Sequence, residues 1–237
     1  MQETSALYKE IVSGGNHWFE TQVVLAGNTL SESQIMSVSR ECPGLSKAIP
    51  SVGGALSASL NLTILEPSFD IPNMAEIDVY VRACNATQQS EWIPQGIYYI
   101  DTRAHKDTVN SIGTMQITAF DSMLKFAQDY PSTNHEWPYT DMDVITEMAA
   151  ACGVTVDSRV AEYIIAGYMI NLPSGYTMRE VLENIAAMYG GNFVITDAGE
   201  LMFVPLYGLS PDINGNYLAD ESGNALVFGD EGWCILV

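Results

Sequence analysis

Leu60-Asn61-Leu62-Thr63-Ile64 places an apolar side chain at every second position, and Ile77-Asp78-Val79-Tyr80-Val81 repeats the pattern. Successive side chains of a strand point to opposite faces, so this period of two predicts strands with one buried and one wet face. Outward from these two runs, residues 18–25, 56–65, 97–100 and 115–120 are short segments rich in β-branched and aromatic residues. Gly27-Asn28, Pro43-Gly44, Gly53-Gly54, Pro67, Pro72-Asn73 and Gly113 punctuate them as turns. Many strands with a single buried face point to an antiparallel barrel or sandwich, read as a barrel-like domain over residues 1–130. Ahead of them, residues 4–12 predict a short helix with Leu7, Tyr8 and Ile11 on one face, ended by Gly14-Gly15.

Beyond Tyr130-Pro131 the period changes from two to about 3.6. Residues 141–152 put Met142, Ile145, Met148, Ala149 and Cys152 on one side of a helix, with Thr140 as N-cap and Gly153 past the end. Thr177-Met178-Arg179-Glu180 is a capping box, and the helix it opens turns Val181, Leu182, Ile185 and Tyr189 inward before Gly190-Gly191. Residues 192–196 and 200–204 then flank Asp197-Ala198-Gly199, which reads as a hairpin turn. Asp212-Ile213-Asn214-Gly215-Asn216-Tyr217-Leu218 is echoed by Asp220-Glu221-Ser222-Gly223-Asn224-Ala225-Leu226, each a Gly-Asn turn feeding an apolar strand. The expected class is α+β, mostly β: the barrel-like domain, a small α/β helix-and-hairpin domain over 131–206, and terminal β-hairpin strands over 207–237. The apolar run Trp233-Cys234-Ile235-Leu236-Val237 suggests that the natural chain continues into a further domain.

Charge excludes several function classes. With 29 acidic and 9 basic residues the net charge is -20, and the cations are scattered, so specific nucleic acid binding is not expected. Apolar residues reach 47% against 16% charged, which suits a subunit that buries faces against neighbours. The longest apolar stretch, residues 163–170, is far shorter than the ~20 residues that span a bilayer, so no membrane span is expected. The N-terminus lacks the basic and apolar regions of a secretory signal. Cys42, Cys84, Cys152 and Cys234 lie far apart, with no Cys-x-x-Cys pair, and are read as reduced cysteines made in a cytoplasm.

No motif carries chemistry. His17, His105 and His135 do not approach metal-ligand spacing, and Ser59, Ser111 and Ser122 lack a nucleophile elbow. Asp212-x-Asn214-x-Asn216 continues with Tyr217 in place of the glycine a calcium loop needs, so turn chemistry explains it. Asp141, Asp143 and Glu147 read as carboxylates favoured by the helix dipole. Neither Gly14-Gly15 nor Gly53-Gly54 begins a phosphate-binding loop. No catalytic, cofactor-binding or metal-ligating residue is assigned, no cofactor is expected, and the protein is read as a non-enzyme.

Ile97-Tyr98-Tyr99-Ile100-Asp101, with Met115-Gln116-Ile117-Thr118-Ala119-Phe120-Asp121-Ser122-Met123-Leu124, resembles the G-x-Y-x-I … V-x-A-x-D-x-M-x-x-L pattern of phage tail proteins of Gram-positive siphophage type. Thr177-Met178-Arg179-Glu180-Val181-Leu182 with Ile185-Ala186-Ala187-Met188-Tyr189-Gly190-Gly191-Asn192-Phe193 is similar to their helix-hairpin segment. The family is that of tail hub, or baseplate hub, proteins, and the resemblance covers roughly residues 75–230. It implies a virion structural protein, made in the bacterial host cytoplasm, that forms a homotrimeric ring of β-barrel domains at the tip of the tail tube. Such a ring serves host cell attachment by anchoring a spike, fibre or lysin, beside distal tail and tape-measure proteins. The pattern contains no catalytic residues.

Two other classes are weighed beside it. A tail-associated peptidoglycan hydrolase needs an active site assembled only in space. A carbohydrate-binding module would use Trp18, Trp92, Trp137 or Trp233 as stacking platforms. In a ring, part of the acidic excess, with Asp101 and Asp107 as candidates, would line the channel and keep passing DNA phosphates from binding. Acidity that merely keeps the subunit soluble is the alternative.

Overall fold

A computed structural model describes residues 4–42, 52–106, 113–131 and 136–206, together with the backbone of two short strands near the C-terminus. Helix α1 (Ala6–Ser13) begins at Ser5, whose hydroxyl accepts the Tyr8 N–H at 3.0 Å, and it ends at Gly14. Strands β1 (Trp18–Leu25), β2 (Asn28–Thr29), β3 (Ile35–Glu41), β4 (Gly54–Leu56), β5 (Ser59–Leu65), β6 (Glu76–Cys84), β7 (Ile93–Lys106) and β8 (Thr114–Asp121) follow. Seven of them form one sheet in the order β2-β1-β6-β7-β8-β5-β3, and every neighbouring pair is antiparallel. The chain is a mixed α+β fold dominated by this curled sheet. Its end strands β2 and β3 are not paired to each other among the described residues, so the sheet curls without closing.

The alternation read from the sequence lands on the core. Leu60, Leu62 and Ile64 of β5 and Ile77 and Val79 of β6 are buried, and Asn61 faces solvent. Three expectations need correction. The run 56–65 is two strands, because Leu56 belongs to β4 and the chain changes sheets at Ser57-Ala58. Gly53 takes the left-handed φ of 82° that a turn requires, but Gly54 already opens β4. The run 97–100 is the middle of a 14-residue strand, whose pairing slips at Asp78/Tyr80 on one side and at Ile100/Thr102 on the other. Each slip inserts a residue and bends the strand.

The second half contains β9 (Tyr139–Thr140), α2 (Asp141–Cys152), α3 (Val160–Tyr163), β10 (Met169–Ile170), α4 (Met178–Met188), β11 (Gly191–Ile195) and β12 (Leu201–Pro205). Helix α2 starts at Thr140, whose side chain accepts the Asp143 N–H, and stops at Gly153 with φ 64°. At α4 both halves of the capping box are made: the Thr177 hydroxyl accepts the Glu180 N–H, and the Glu180 carboxylate accepts the Thr177 N–H at 2.8 Å. Strands β11 and β12 pair as the expected hairpin, and β4 joins β11 in parallel through Asn192↔Gly54, Phe193↔Ala55 and Val194↔Leu56. A second core gathers Phe193, Phe203, Leu182 and Met148, with Ala55 and, from the 3₁₀ turn Ser122–Ala127, Phe126. Near the C-terminus, β13 (Leu226–Phe228) pairs antiparallel with β14 (Cys234–Leu236). The Gly-Asn repeat ahead of Leu226 and the Pro43-Gly44 turn lie outside the described residues.

Candidate assembly interface

Among the described residues both ends of the large sheet are open. Among the described residues strand β3 pairs with β5 on one side only, and on the side of β1 away from β6 the neighbours β2 and Leu30 reach Val23–Leu25 but no strand lies beside residues 18–22. Unpaired N–H and C=O groups along an edge are a template for another strand. Exposed apolar side chains stand at both edges, Trp18 and Phe19 on β1 and Met36 on β3. Four strands lie between β1 and β3, which makes five antiparallel steps from one to the other, so β1 and β3 run in opposite directions. A copy placed head to tail, β3 against β1, therefore continues the antiparallel pattern.

Polar contacts lock the β1 end. Arg82 donates two hydrogen bonds to Glu20, at 2.8 and 2.6 Å, and its guanidinium lies 4.4 Å over the Trp92 ring. Chiefly through this pairing, the Glu20 carboxyl is held below its usual value. Trp18 Nε1 donates to the other Glu20 oxygen at 3.3 Å.

A seam joins the sheet to the second core. Asp121, at the end of β8, is buried and accepts the Ala58 N–H at 2.7 Å, the Ser57 hydroxyl at 2.8 Å and the Met123 N–H at 3.0 Å. Burial pushes its carboxyl upward against these donors. Arg179 donates to the Ala55 carbonyl at 2.7 Å, and Arg40 of β3 pairs with Asp197 on the β11–β12 turn. Between these groups lies a cleft of ≈ 510 Å³ lined by Arg40, Asp121, Asp157, Arg159, Asn192 and Asp197. Its two guanidinium groups already face carboxylates, Arg40 with Asp197 and Arg159 with Asp157, so the cleft offers no unmatched cation for an anionic ligand.

Asp141 stands in the first turn of α2, as read from the sequence, but does more than meet the helix dipole. It is fully buried and accepts the Met142 N–H at 2.8 Å, the Tyr168 N–H at 3.1 Å and the Tyr189 hydroxyl. Burial and then this carboxylate push the Tyr189 phenol up. Tyr189 Oη also accepts the Ala166 N–H at 3.2 Å, so the Asp141–Tyr189 pair holds the backbone of the segment leading into β10. Asp143 does serve the helix start, and Glu147 accepts the Tyr130 hydroxyl.

The other residues singled out in the sequence are dispersed. His17 contacts the Gly14 carbonyl and the Phe19 ring, whereas His105 lies 3.3 Å from Glu66. Ser59 opens β5 and Ser122 is buried beside Asp121. Cys42, Cys84 and Cys152 are free thiols. Among the described residues no group of three His, Cys, Asp or Glu side chains is placed to hold a metal ion, and no helix is long and apolar enough to cross a membrane. Trp137 is partly buried against the second core, with ring contacts to Tyr130 and Tyr139. Asp101 is exposed at the bulge of β7. Asp107, Ser111, His135 and Trp233 lie outside the described residues.

No protein-family model and no curated protein matches the sequence. Among solved structures, the fold is similar to the 43 kDa tail protein of prophage MuSo2 from Shewanella oneidensis, with a TM-score of 0.56 and 12% identity over 79% of this chain and 53% of that one. It is also similar to the tail protein from Neisseria meningitidis MC58, with a TM-score of 0.52 and 14% identity over 78% of this chain and 51% of that one. The chain thus spans about half the length of these two proteins, and the likeness is one of fold.

Proposed function

We propose that this protein is a structural component of a phage or prophage tail, a hub that assembles as a homotrimeric ring at the tip of the tail tube and anchors a spike, fibre or lysin. The observation that carries the reading is the seven-stranded sheet, whose strands β1 and β3 run in opposite directions and each offer an unpaired edge among the described residues, on a fold shared with two tail proteins. Head-to-tail contacts of this kind close into rings when the rotation closes. Distal tail and tape-measure proteins are the neighbours such a ring would meet. A net charge of -20 suits a ring around a passing polyanion, because an acidic lining does not hold phosphates. The protein acts by assembling and catalyses no reaction.

Sedimentation velocity on the full chain over a range of concentrations tests the ring. A trimer that is lost when Phe19→Lys and Met36→Lys are combined supports it, and a stable, concentration-independent dimer overturns it. Incubation with purified cell walls tests the second half of the proposal: release of muropeptides would make the protein a hydrolase.

A further inference from the structure

Between Glu162 and Arg179 no residue carries a formal charge. The longer charge-free run, residues 48–65, supplies the largely buried strands β4 and β5, but this one is spent on the surface. Ile165 is 76% exposed and Met169 60%, and Tyr168, Leu172 and Tyr176 are each about half exposed. Exposed apolar side chains on a loose loop would mean little. Here the backbone is held: Asp141 exchanges hydrogen bonds with Tyr168, accepting its N–H at 3.1 Å and donating to its carbonyl at 2.9 Å. Tyr189 fixes Ala166, the Tyr176 carbonyl accepts the Tyr130 N–H at 2.9 Å, and β10 pairs with β9. The surface is thus ordered before it meets anything, which lowers the entropic cost of docking.

We propose that residues 165–176 form an isologous contact with the same surface of a second copy of this chain. Charge selects the occupant. A cationic partner would be drawn to the acidic faces of a chain of net charge -20, and this segment would stay uncovered. Two copies repel one another wherever their carboxylates meet, and this segment itself brings none to the contact. Strand β10 is an end strand, paired on one side with β9 among the described residues, so a two-fold axis near Met169 sets β10 antiparallel to its mate. Five partly exposed apolar side chains offer on the order of 300–500 Å². That is below the ~800 Å² per partner of a standard stable interface, so the contact is weak by itself. It does not depend on the ring.

Sedimentation equilibrium of the full chain, from about 10 μM to about 1 mM at low and at high salt, reads it out. Association should strengthen as salt screens the overall repulsion. Ile165→Asp and Met169→Asp should each weaken it at least about tenfold with an unchanged thermal midpoint, and Met36→Asp should leave it intact. In a background with Cys42→Ser and Cys234→Ser, Met169→Cys should yield a disulfide-linked dimer on mild oxidation that the background chain does not give. Association indifferent to both aspartate variants, or absent near 1 mM at high salt, overturns the proposal. A ring lost with Met36→Asp but kept with Met169→Asp, beside no salt-strengthened association, sinks this contact alone. The reverse pattern sinks the ring alone.

Discussion

The buried carboxylate of Asp121 accepts the backbone N–H of Ala58 at 2.7 Å, at the point where the chain leaves β4 for β5. Asp121→Ala removes this acceptor and that of Ser57 and Met123 together, leaving two backbone donors and a hydroxyl without it. Orphaned buried donors are costly, so a loss of about 2–4 kcal/mol is expected. Urea denaturation checks it, and Asp121→Asn should lose less because its amide oxygen still accepts.

Asp157 should make the chain sensitive to acid below the ordinary carboxylate range. Hydrogen bonds from Arg159 lower its pKa from 3.8 to about 2. The folded state therefore holds this proton less tightly than the unfolded state. The stabilisation is present above the unfolded pKa and is lost as pH falls from 3.8 through about 2. Arg159→Ala should flatten that part of the urea-midpoint profile, and carboxyl NMR should show Asp157 returning toward its ordinary value.

Thr177→Ala should destabilise the start of α4. It removes the hydroxyl that accepts the Glu180 N–H at 3.2 Å and bonds the Glu180 carboxylate at 2.9 Å. A loss of about 0.5–2 kcal/mol is expected. The thermal midpoint should drop by a few degrees in a chain of this size. An unchanged midpoint would show that the cap contributes nothing.

Gly191→Ala should be far worse than Gly15→Ala. A methyl at Gly191 would lie 2.3 Å from Phe203 Cζ and 2.5 Å from the Val204 carbonyl oxygen, whereas at Gly15 nothing lies within 4 Å. Overpacking of this kind costs about 1–3 kcal/mol, and an exposed site changes stability by about 0.5 kcal/mol or less. Parallel thermal melts of the two variants decide it.

These sites differ in how far the sequence announces them. Helix ends are local chemistry, so Thr140, Gly153 and the Thr177/Glu180 box could be read directly and coincide with the observed caps. Strand alternation likewise marks β5 and β6, where one face is buried. Strand β3 gives no such signal, because an edge strand with exposed Met36 and serines at 37 and 39 has little apolar face to show. The burial of Asp141 depends on Tyr168 and Tyr189, 27 and 48 positions away, which no local pattern contains. Residues 163–170 stood out as an apolar stretch, but only the tertiary structure shows that much of it faces outward.

Strand β4 imposes an order of events on synthesis. The Gly54 N–H donates to the Asn192 side chain across 138 positions of sequence, and the parallel pairing with β11 spans the same interval. At ribosomal speeds of roughly 5–20 residues per second, β4 waits on the order of ten seconds for its partner. Such long-range parallel pairing is also slow to form once both strands exist. A polypeptide that stops short of Gly191 keeps one side of β4 bare, exposed to proteases and to stray strands. Completion of the small sheet thus separates chains that have reached β12 from shorter fragments.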